Sequence, residues 1–506
     1  MPLKSSTLFF RQPADEPGYE LTTWLFLRGL AMIYFAAFAS MATQVEGLIG
    51  SSGILPIHNA LQQFARTVPD EKYLLFPTLF WLDHSDQALI GACYIGMAAA
   101  ALLLLNVLNR LALVLCYCLY LSIAVAGQDF TAFQWDALLL EAGFLAVFLT
   151  SGSPIIVFLY RFLIARFMFM AGVVKLASGD PSWANLTALN FHYQTQPLPS
   201  PLAYYAYYLP QWFNEMCVIG VLIIELIVPF FVFLPRRFRH FAAWSFIVLQ
   251  SSIILTGNYN FFNLLTILLC LFLFDDRDFN KILPSSLISA IVRKRRAPGF
   301  MAHTLAAIWL VIVLITCSTN IWRYHNQQQP PTPFNTLVKV TSAFWVVNNY
   351  GPFSVMTTQR PEIILQGSND SKHWRAYKFK YKPVDLDKNL SWNIPHQPRL
   401  DWQMWFAALS TADQNPWFGR LMDKLLDGSP QVLSLLAYNP FPEHPPAHVR
   451  ALLYRYSFTT PEQRKATGQI WRREYLGEYW PVNLTLSDLE KRPHSRRKAG
   501  IQHHES

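Results

Sequence analysis

Long apolar runs separated by polar segments fill the N-terminal part of the chain. They cover residues 21–43, 88–108, 111–127, 136–150, 154–177, 213–234, 241–256, 259–275 and 302–318. A straight transmembrane helix needs about 20 apolar residues, so several runs are short for a full crossing, and a re-entrant pair is an alternative for two of them. The pattern predicts an α-helical polytopic membrane domain over residues 21–318, with about nine spans.

The pattern changes after the last apolar run. Residues 319–333 are polar and rich in proline, which is typical of a linker. In residues 334–485, short alternating stretches are bounded by turn residues, a pattern that favours strands. We therefore expect a β-rich α+β domain over 334–485 and a charged, disordered tail over 486–506.

Within the C-terminal domain, strands and helices have different signatures. Residues 362–366 and 374–381, joined by a turn-rich segment, predict a hairpin with a long loop. Residues 418–426 and 431–438 carry apolar side chains at helical spacing, and Gly428-Ser-Pro430 separates them. Short helices are therefore expected to follow the hairpin.

Basic residues are distributed unevenly over the loops. They cluster after the sixth and eighth apolar runs, in Pro235-Arg-Arg-Phe-Arg-His240 and in residues 293–296, whereas residues 178–212 contain none. Cytoplasmic loops are enriched in lysine and arginine. Nine spans that follow this rule place residues 1–20 in the cytoplasm and the C-terminal domain on the exported, non-cytoplasmic side.

The composition agrees with a membrane protein and excludes several soluble classes. Of the 506 residues, 52% are hydrophobic and 14% are charged, whereas a soluble domain carries about 25% charged residues. Membrane lipids are therefore expected neighbours. The net charge of +9 is attributed to loops and tail. Aromatic and basic residues do not interleave as in a single-strand nucleic-acid binder, so no nucleic-acid partner is expected.

The six cysteines do not predict a disulfide framework or a metal centre. All of them lie in apolar runs: Cys93, Cys116, Cys118, Cys217, Cys270 and Cys317. Cys116 and Cys118 are too close for the usual metal-binding or redox spacing, so all six are interpreted as small buried side chains. No metal and no cofactor is predicted.

Four charged residues lie in or beside the apolar runs: Asp136, Glu141, Lys175 and Glu225. A charge near the bilayer centre costs about 2.5–3.5 kcal/mol on insertion scales, so such groups usually pair or face a polar cavity. Asp136 and Glu141 are about 140° apart around a helix, so they do not share one face of a regular helix. The four residues are either interhelical ties, for instance Lys175 with Glu225 or Asp136, or the lining of a working cavity with catalytic groups.

Several motifs resemble the lipase maturation factor family. They are Trp24-Leu-Phe-Leu-Arg-Gly-Leu30, Gln134-Trp-Asp136, Asn349-Tyr-Gly-Pro-Phe353, Glu362-Ile-Ile-Leu-Gln-Gly-Ser368, Pro398-Arg-Leu-Asp-Trp-Gln-Met-Trp-Phe-Ala-Ala-Leu409, Asn439-Pro-Phe-Pro442 and Val449-Arg-Ala-Leu-Leu-Tyr-Arg-Tyr456. The resemblance spans most of residues 20–480 and is most specific in 399–409. It implies a polytopic membrane protein that assists folding and assembly of secreted lipases, with the C-terminal domain handling the client.

A shorter stretch resembles a different protein. Phe167-Met-Phe-Met-Ala-Gly-Val-Val-Lys-Leu176 is similar to the segment of the vitamin K-dependent γ-carboxylase that holds its catalytic lysine. This resemblance implies that Lys175 is a base, since a desolvated lysine can lose its proton near neutral pH. Val174 replaces a neighbouring lysine of that enzyme. Snorkelling or pairing with an acid explains Lys175 equally well.

The most specific motif holds four residues of interest: Arg399, Asp401, Trp402 and Trp405. On a strand, Arg399 and Asp401 point to the same side, while on a helix they are about 200° apart. In one interpretation they bind nearby backbone groups, lock the hairpin onto the helices, and leave both tryptophans in the core. In the other, an exposed tryptophan beside Arg399 contacts a client protein.

Two functions remain. The first is a membrane-anchored folding or maturation factor for exported proteins such as lipases. The alternative is a membrane-embedded enzyme related to the carboxylase, acting on a lipid-soluble substrate through Asp136, Glu141, Lys175 and Glu225. Known catalytic motifs are missing from the sequence, which favours the first. The absence of cysteine from the exported domain favours the bacterial inner membrane, and the endoplasmic reticulum membrane is the alternative in a eukaryote.

Overall fold

The computed structural model describes residues 18–149, 152–292, 299–326 and 328–484. Helices form the membrane part and recur throughout the chain. In chain order they are α1 (Glu20–Ala42), α2 (Val45–Ile49), α3 (Ile57–Thr67), α4 (Lys72–Leu75), α5 (Asp86–Leu104), α6 (Asn109–Ala126), α7 (Gln134–Leu149), α8 (Pro154–Ala177), α9 (Pro181–Ala184), α10 (Ala188–Thr195), α11 (Pro201–Tyr207), α12 (Gln211–Leu226), α13 (Arg236–Thr256), α14 (Phe262–Leu269), α15 (Asp276–Phe279), α16 (Ser285–Val292), α17 (Phe300–Asn326), α18 (Thr332–Ala343), α19 (Arg399–Ala408), α20 (Pro416–Leu426), α21 (Pro430–Leu433) and α22 (Pro461–Thr467).

Each of the nine apolar runs is helical, which confirms the predicted polytopic helical class. Seven helices of the described residues are long and apolar enough to cross a membrane: α1, α5, α6, α8, α12 with its 3-10 extension to Phe233, α13 and α17. The two shorter ones are α7, with 16 residues, and α14 with its extension, Phe262–Leu273. Most of α7 is buried by neighbouring helices, so its ends lie against protein.

Local sequence explains where several of these helices begin. The Ser85 hydroxyl accepts the Ala88 N–H at 3.2 Å and caps α5. Pro154 occupies the first turn of α8, where its missing N–H costs nothing. Gly152 has a φ of 71° in the turn before it, a conformation that glycine adopts without strain.

The helix ends group into two faces. On one, Asp276 accepts the N–H groups of Glu20 (2.9 Å) and Leu21 (3.0 Å), so the start of α1 meets the segment after the eighth run. Arg236, after the sixth run, pairs with Asp275 at 3.3 Å. We call this the basic face. These are the segments that the charge distribution assigned to one side of the membrane, and their cytoplasmic location stays a prediction.

The C-terminal region lies against the opposite end of the bundle and contains two antiparallel sheets. Its strands are β1 (Arg360–Ser368), β2 (Arg375–Ala376), β3 (Lys378–Phe379), β4 (Leu436–Tyr438), β5 (His448–Phe458) and β6 (Trp471–Leu484). One sheet has the order β2-β1-β5-β6 and the other pairs β3 with β4. In the larger sheet Ile364 lies opposite Leu452, and α20 packs against its far edge through Phe418 and Trp480.

Two predicted boundaries differ from the structure, and a third is not tested by it. Helix α17 extends to Asn326, so half of the predicted linker 319–333 is helical, because apolar positions continue through Ile321 and Trp322. The predicted helix over 431–438 ends at Leu433, since the following residues pair as β4 with β3. The tail 486–506 lies outside the described residues.

The bundle and the C-terminal region share one continuous apolar core. Polar contacts cross the boundary as well: Gln44 donates to the Gln397 carbonyl at 2.8 Å and accepts the Arg399 N–H at 2.9 Å. Tyr204 donates to the Thr459 carbonyl at 2.9 Å. The region that the sequence presented as a separate domain is therefore built onto the membrane helices.

Candidate functional site

Asp136, at the start of α7, is fully buried and binds Arg399, the first residue of α19. The guanidinium donates to both carboxylate oxygens, Nη1 to Oδ2 at 2.9 Å and Nη2 to Oδ1 at 2.8 Å. Nη1 also donates to the Phe130 carbonyl at 2.8 Å, and the Tyr120 hydroxyl donates to Asp136. This bidentate pair joins residues 263 positions apart in sequence, one in the bundle and one in the C-terminal region.

Glu141, on the same helix, has a separate set of partners. Its carboxylate pairs with Arg166 of α8. It also accepts the backbone N–H of Asn348 at 3.0 Å and the Tyr350 hydroxyl at 2.8 Å. Tyr350 is buried and belongs to the motif 349–353, so Glu141 holds the segment after α18 against the bundle.

Lys175 pairs with Glu225, one of the two acids that the sequence suggested for it. The Nζ atom lies 2.9 Å from Oε1 and 2.7 Å from Oε2, and both side chains are buried. Nζ also donates to the Ala171 carbonyl at 3.1 Å and, more weakly, to the Pro352 carbonyl at 3.4 Å. All three ammonium donors thus have acceptors close by, which is the arrangement of a structural tie.

A fourth buried charge cluster was missed in the sequence. Glu362 on β1 pairs with Arg360 at 2.7 Å and with Lys382 at 2.8 Å, and all three side chains are buried. Arg360 also donates to the carbonyls of Gln194 (3.0 Å), in the last turn of α10, and Pro197 (2.9 Å), between α10 and α11. The available signal was the Arg-Pro-Glu spacing, which places both charges on one side of a strand.

The other three residues of interest in the motif 399–409 lie on α19, and each contacts a different part of the molecule. Asp401 accepts the backbone N–H groups of Tyr381 and Lys382, each at 2.8 Å, and so fixes the chain after β3. Trp402 is only 3% exposed and packs on Trp135. Trp405 is half-buried and donates to the Thr195 carbonyl at 2.8 Å.

The four charged membrane residues do not converge on one cavity. Each acid has its own cation, and the pairs involve different elements. A cavity of about 550 Å³ lies elsewhere, between α17 and the start of α18, and its lining is Leu314, Ile315, Ser318, Thr319, Trp322, Pro330, Pro331 and Phe334. Among the described residues, no group of three or more His, Cys, Asp or Glu side chains could hold a metal ion. The buried charges are therefore arranged as ties between elements.

One buried histidine lies outside the candidate spans. His192 of α10 packs between Tyr259 and Phe353. Burial, with a smaller contribution from Lys175, lowers its pKa to about 4, so it is neutral in the folded protein near pH 7. A neutral imidazole at this position adds no charge to the nearby Lys175–Glu225 pair.

Comparison with known proteins returns one family. Residues 21–281 match the model of the lipase maturation factor transmembrane domain, and residues 346–481 match that of the lipase maturation factor C-terminal domain. Lipase maturation factor 1 of Mus musculus is 36% identical, covering 95% of this chain and 91% of that protein. Lipase maturation factor 1 of Homo sapiens is 35% identical (96% and 92%), and lipase maturation factor 2 of Gallus gallus is 34% identical (90% and 80%). No solved structure matches, and nothing in these comparisons supports the carboxylase alternative.

Proposed function

The chain belongs to the lipase maturation factor family, and from that premise we propose that this integral membrane protein assists the maturation of exported lipases. Two family models that together match most of the chain carry the proposal. The geometry supports it, because the buried charges are engaged as ties and leave the exported region as the place for client contact.

The orientation of the protein in the membrane is part of the same proposal. With the basic face in the cytoplasm, the sheets and α18–α22 lie on the exported side, where a client folds. The membrane would be the bacterial inner membrane, or the endoplasmic reticulum membrane in a eukaryote. Support comes from the grouping of the arginine-bearing loops on one face and of the sheets on the other.

The client surface follows from what α19 leaves exposed. Its tryptophans pack inward or bind Thr195, but Phe406 and Leu409 are each 41% exposed. They are three positions apart, so they lie close together on one side of the helix turn. We place client contact on this pair, within the motif that most specifically resembles the family.

Co-expression with an exported lipase tests both the proposed function and the proposed client surface. Active lipase on the exported side should rise when this protein is present, and no rise would exclude lipases as clients. Phe406→Ser with Leu409→Ser should reduce active lipase at an unchanged level of this protein. The matched control is Leu476→Ser on β6, which has the same 41% exposure. If the control loses as much activity as the double variant, the α19 pair is not the client surface.

A further inference from the structure

Arg28 of α1 is a buried cation with no carboxylate partner among the described residues. Its side chain is 8% exposed, and its Nε and Nη1 atoms make no hydrogen bond within the part of the chain that the structure describes. The Nη2 contact to Asn109 Oδ1 is long, at 3.4 Å, and the guanidinium carbon lies 5.5 Å from the Trp24 ring centroid. A ring face offsets only part of the cost of burying a guanidinium.

The other buried arginines show how unusual this is. Arg360 pairs with Glu362 at 2.7 Å, and Arg399 pairs with Asp136 at 2.8 Å. Buried charges are paired as a rule, so a buried guanidinium that pairs with no anion within residues 18–484 as described is a candidate site for an anionic ligand. An anionic ligand would complete the hydrogen bonding of the guanidinium.

The surroundings of Arg28 are those of a membrane boundary. Asn109 begins α6, directly after the loop 105–108, whose side chains are all exposed. Leu105, Val107 and Leu108 are apolar, and Asn106 and Leu108 have positive φ angles of 62° and 48°. This loop joins the candidate spans α5 and α6. In the proposed topology it lies on the basic face, so its apolar side chains would meet lipid and its polar groups would lie at headgroup depth.

We propose that Arg28 and Asn109 form a binding site for the phosphodiester group of an anionic membrane phospholipid, beneath the loop 105–108. A guanidinium presents a planar fork that fits two phosphate oxygens. The Asn109 Nδ2 already donates to Asn106 Oδ1 at 2.7 Å, and its second N–H adds a neutral donor. The acyl chains would run along the exposed leucines of the loop. The site is independent of client handling, because it lies on the face opposite the exported region.

Native mass spectrometry of the purified full-length protein tests the site. The probes are phosphatidylglycerol and phosphatidylcholine with the same acyl chains. The wild type should retain phosphatidylglycerol in preference, and Arg28→Met should lower its retention about tenfold, the loss expected for charge-assisted hydrogen bonds. Arg237→Met, an exposed arginine on the same face, is the matched control and should change nothing.

Three results would overturn the proposal: no preference for the anionic lipid, equal retention by Arg28→Met and the wild type, or an equal loss in Arg237→Met. If inorganic phosphate binds lipid-free protein with the same dependence on Arg28, the ligand is a free anion and the lipid assignment is wrong. If Arg28→Met does not fold, lipid retention is measured with Arg28→Lys instead. This variant keeps the charge but loses the fork, so retention should fall, and unchanged retention would contradict the site.

Discussion

At the scale of single residues, three pairs of buried charges join different helices. Asp136 meets Arg399, Glu141 meets Arg166, and Glu225 meets Lys175. Pairing does not make each bridge a net source of stability, because desolvation opposes the attraction. It makes each partner dependent on the other.

The Asp136–Arg399 pair predicts a non-additive mutant cycle. Arg399→Met leaves Asp136 buried and unpaired and should cost about 3–5 kcal/mol in unfolding free energy. Adding Asp136→Leu should recover a large part of that loss, since no unpaired charge remains. Arg455→Met is the control: it breaks a 3.4 Å pair with Glu474 at the surface and should cost about 0–1 kcal/mol. Additive losses in the cycle would show that the two side chains do not act as a pair.

Lys175→Met distinguishes a tie from a catalytic base. Because it leaves Glu225 buried without its cation, folded protein and lipase maturation should fall together. Protein level and active lipase are measured in the same cells. A normal level with no activity would instead assign Lys175 a chemical role.

His192 predicts a pH dependence of stability. Its folded pKa is about 4, whereas histidine in an unfolded chain titrates near about 6.5. As pH falls through this window, the unfolded chain takes up a proton that the folded protein does not, so the unfolding free energy decreases. Chemical unfolding at several pH values should show a shallower fall for His192→Gln. His444→Gln, at an exposed site, should keep the wild-type slope, and an unchanged slope in His192→Gln would contradict the prediction.

At the scale of elements, the apolar runs predicted the positions of nine apolar helices, because bilayer burial is a long and uniform signal. Seven helices of the described residues are long enough to cross a membrane. The apolar runs could not predict the partners of their charges: nothing near Asp136 in the sequence indicates Arg399, which lies 263 positions away. The secondary structure of the C-terminal region was harder to predict, since local propensity competes with strand pairing. Residues 436–438 form a strand only because β3 lies beside them. For the same reason Arg399 and Asp401 could not be placed on a helix or a strand beforehand.

The two faces of the bundle predict opposite sidedness. All four Asn-X-Ser/Thr triplets, at Asn185, Asn369, Asn389 and Asn483, occur in segments assigned to the exported side, and the first three asparagines are exposed. Translation with microsomes should therefore glycosylate native sites. With these removed, a triplet introduced at Lys281, beyond α15 on the basic face, should stay unmodified. Modification at Lys281 would reverse the topology.

At the scale of the whole molecule, the bundle and the C-terminal region share one apolar core, and the boundary is crossed by buried polar contacts such as those of Gln44 and Arg399. A region held in this way has its orientation to the membrane fixed by packing. Client contact on α19 would then occur at a set height above the bilayer, which suits a factor acting on proteins that have just crossed it.

The most direct test of this account is active exported lipase per folded molecule of the double variant Asp136→Leu with Arg399→Met. If both residues are ties, the molecules that fold should mature lipase as well as the wild type does. Folded amounts are measured by size-exclusion chromatography of the purified protein, and lipase activity is measured in the same cultures. A variant that folds to a substantial level but matures no lipase would show that the buried pair takes part in the function itself.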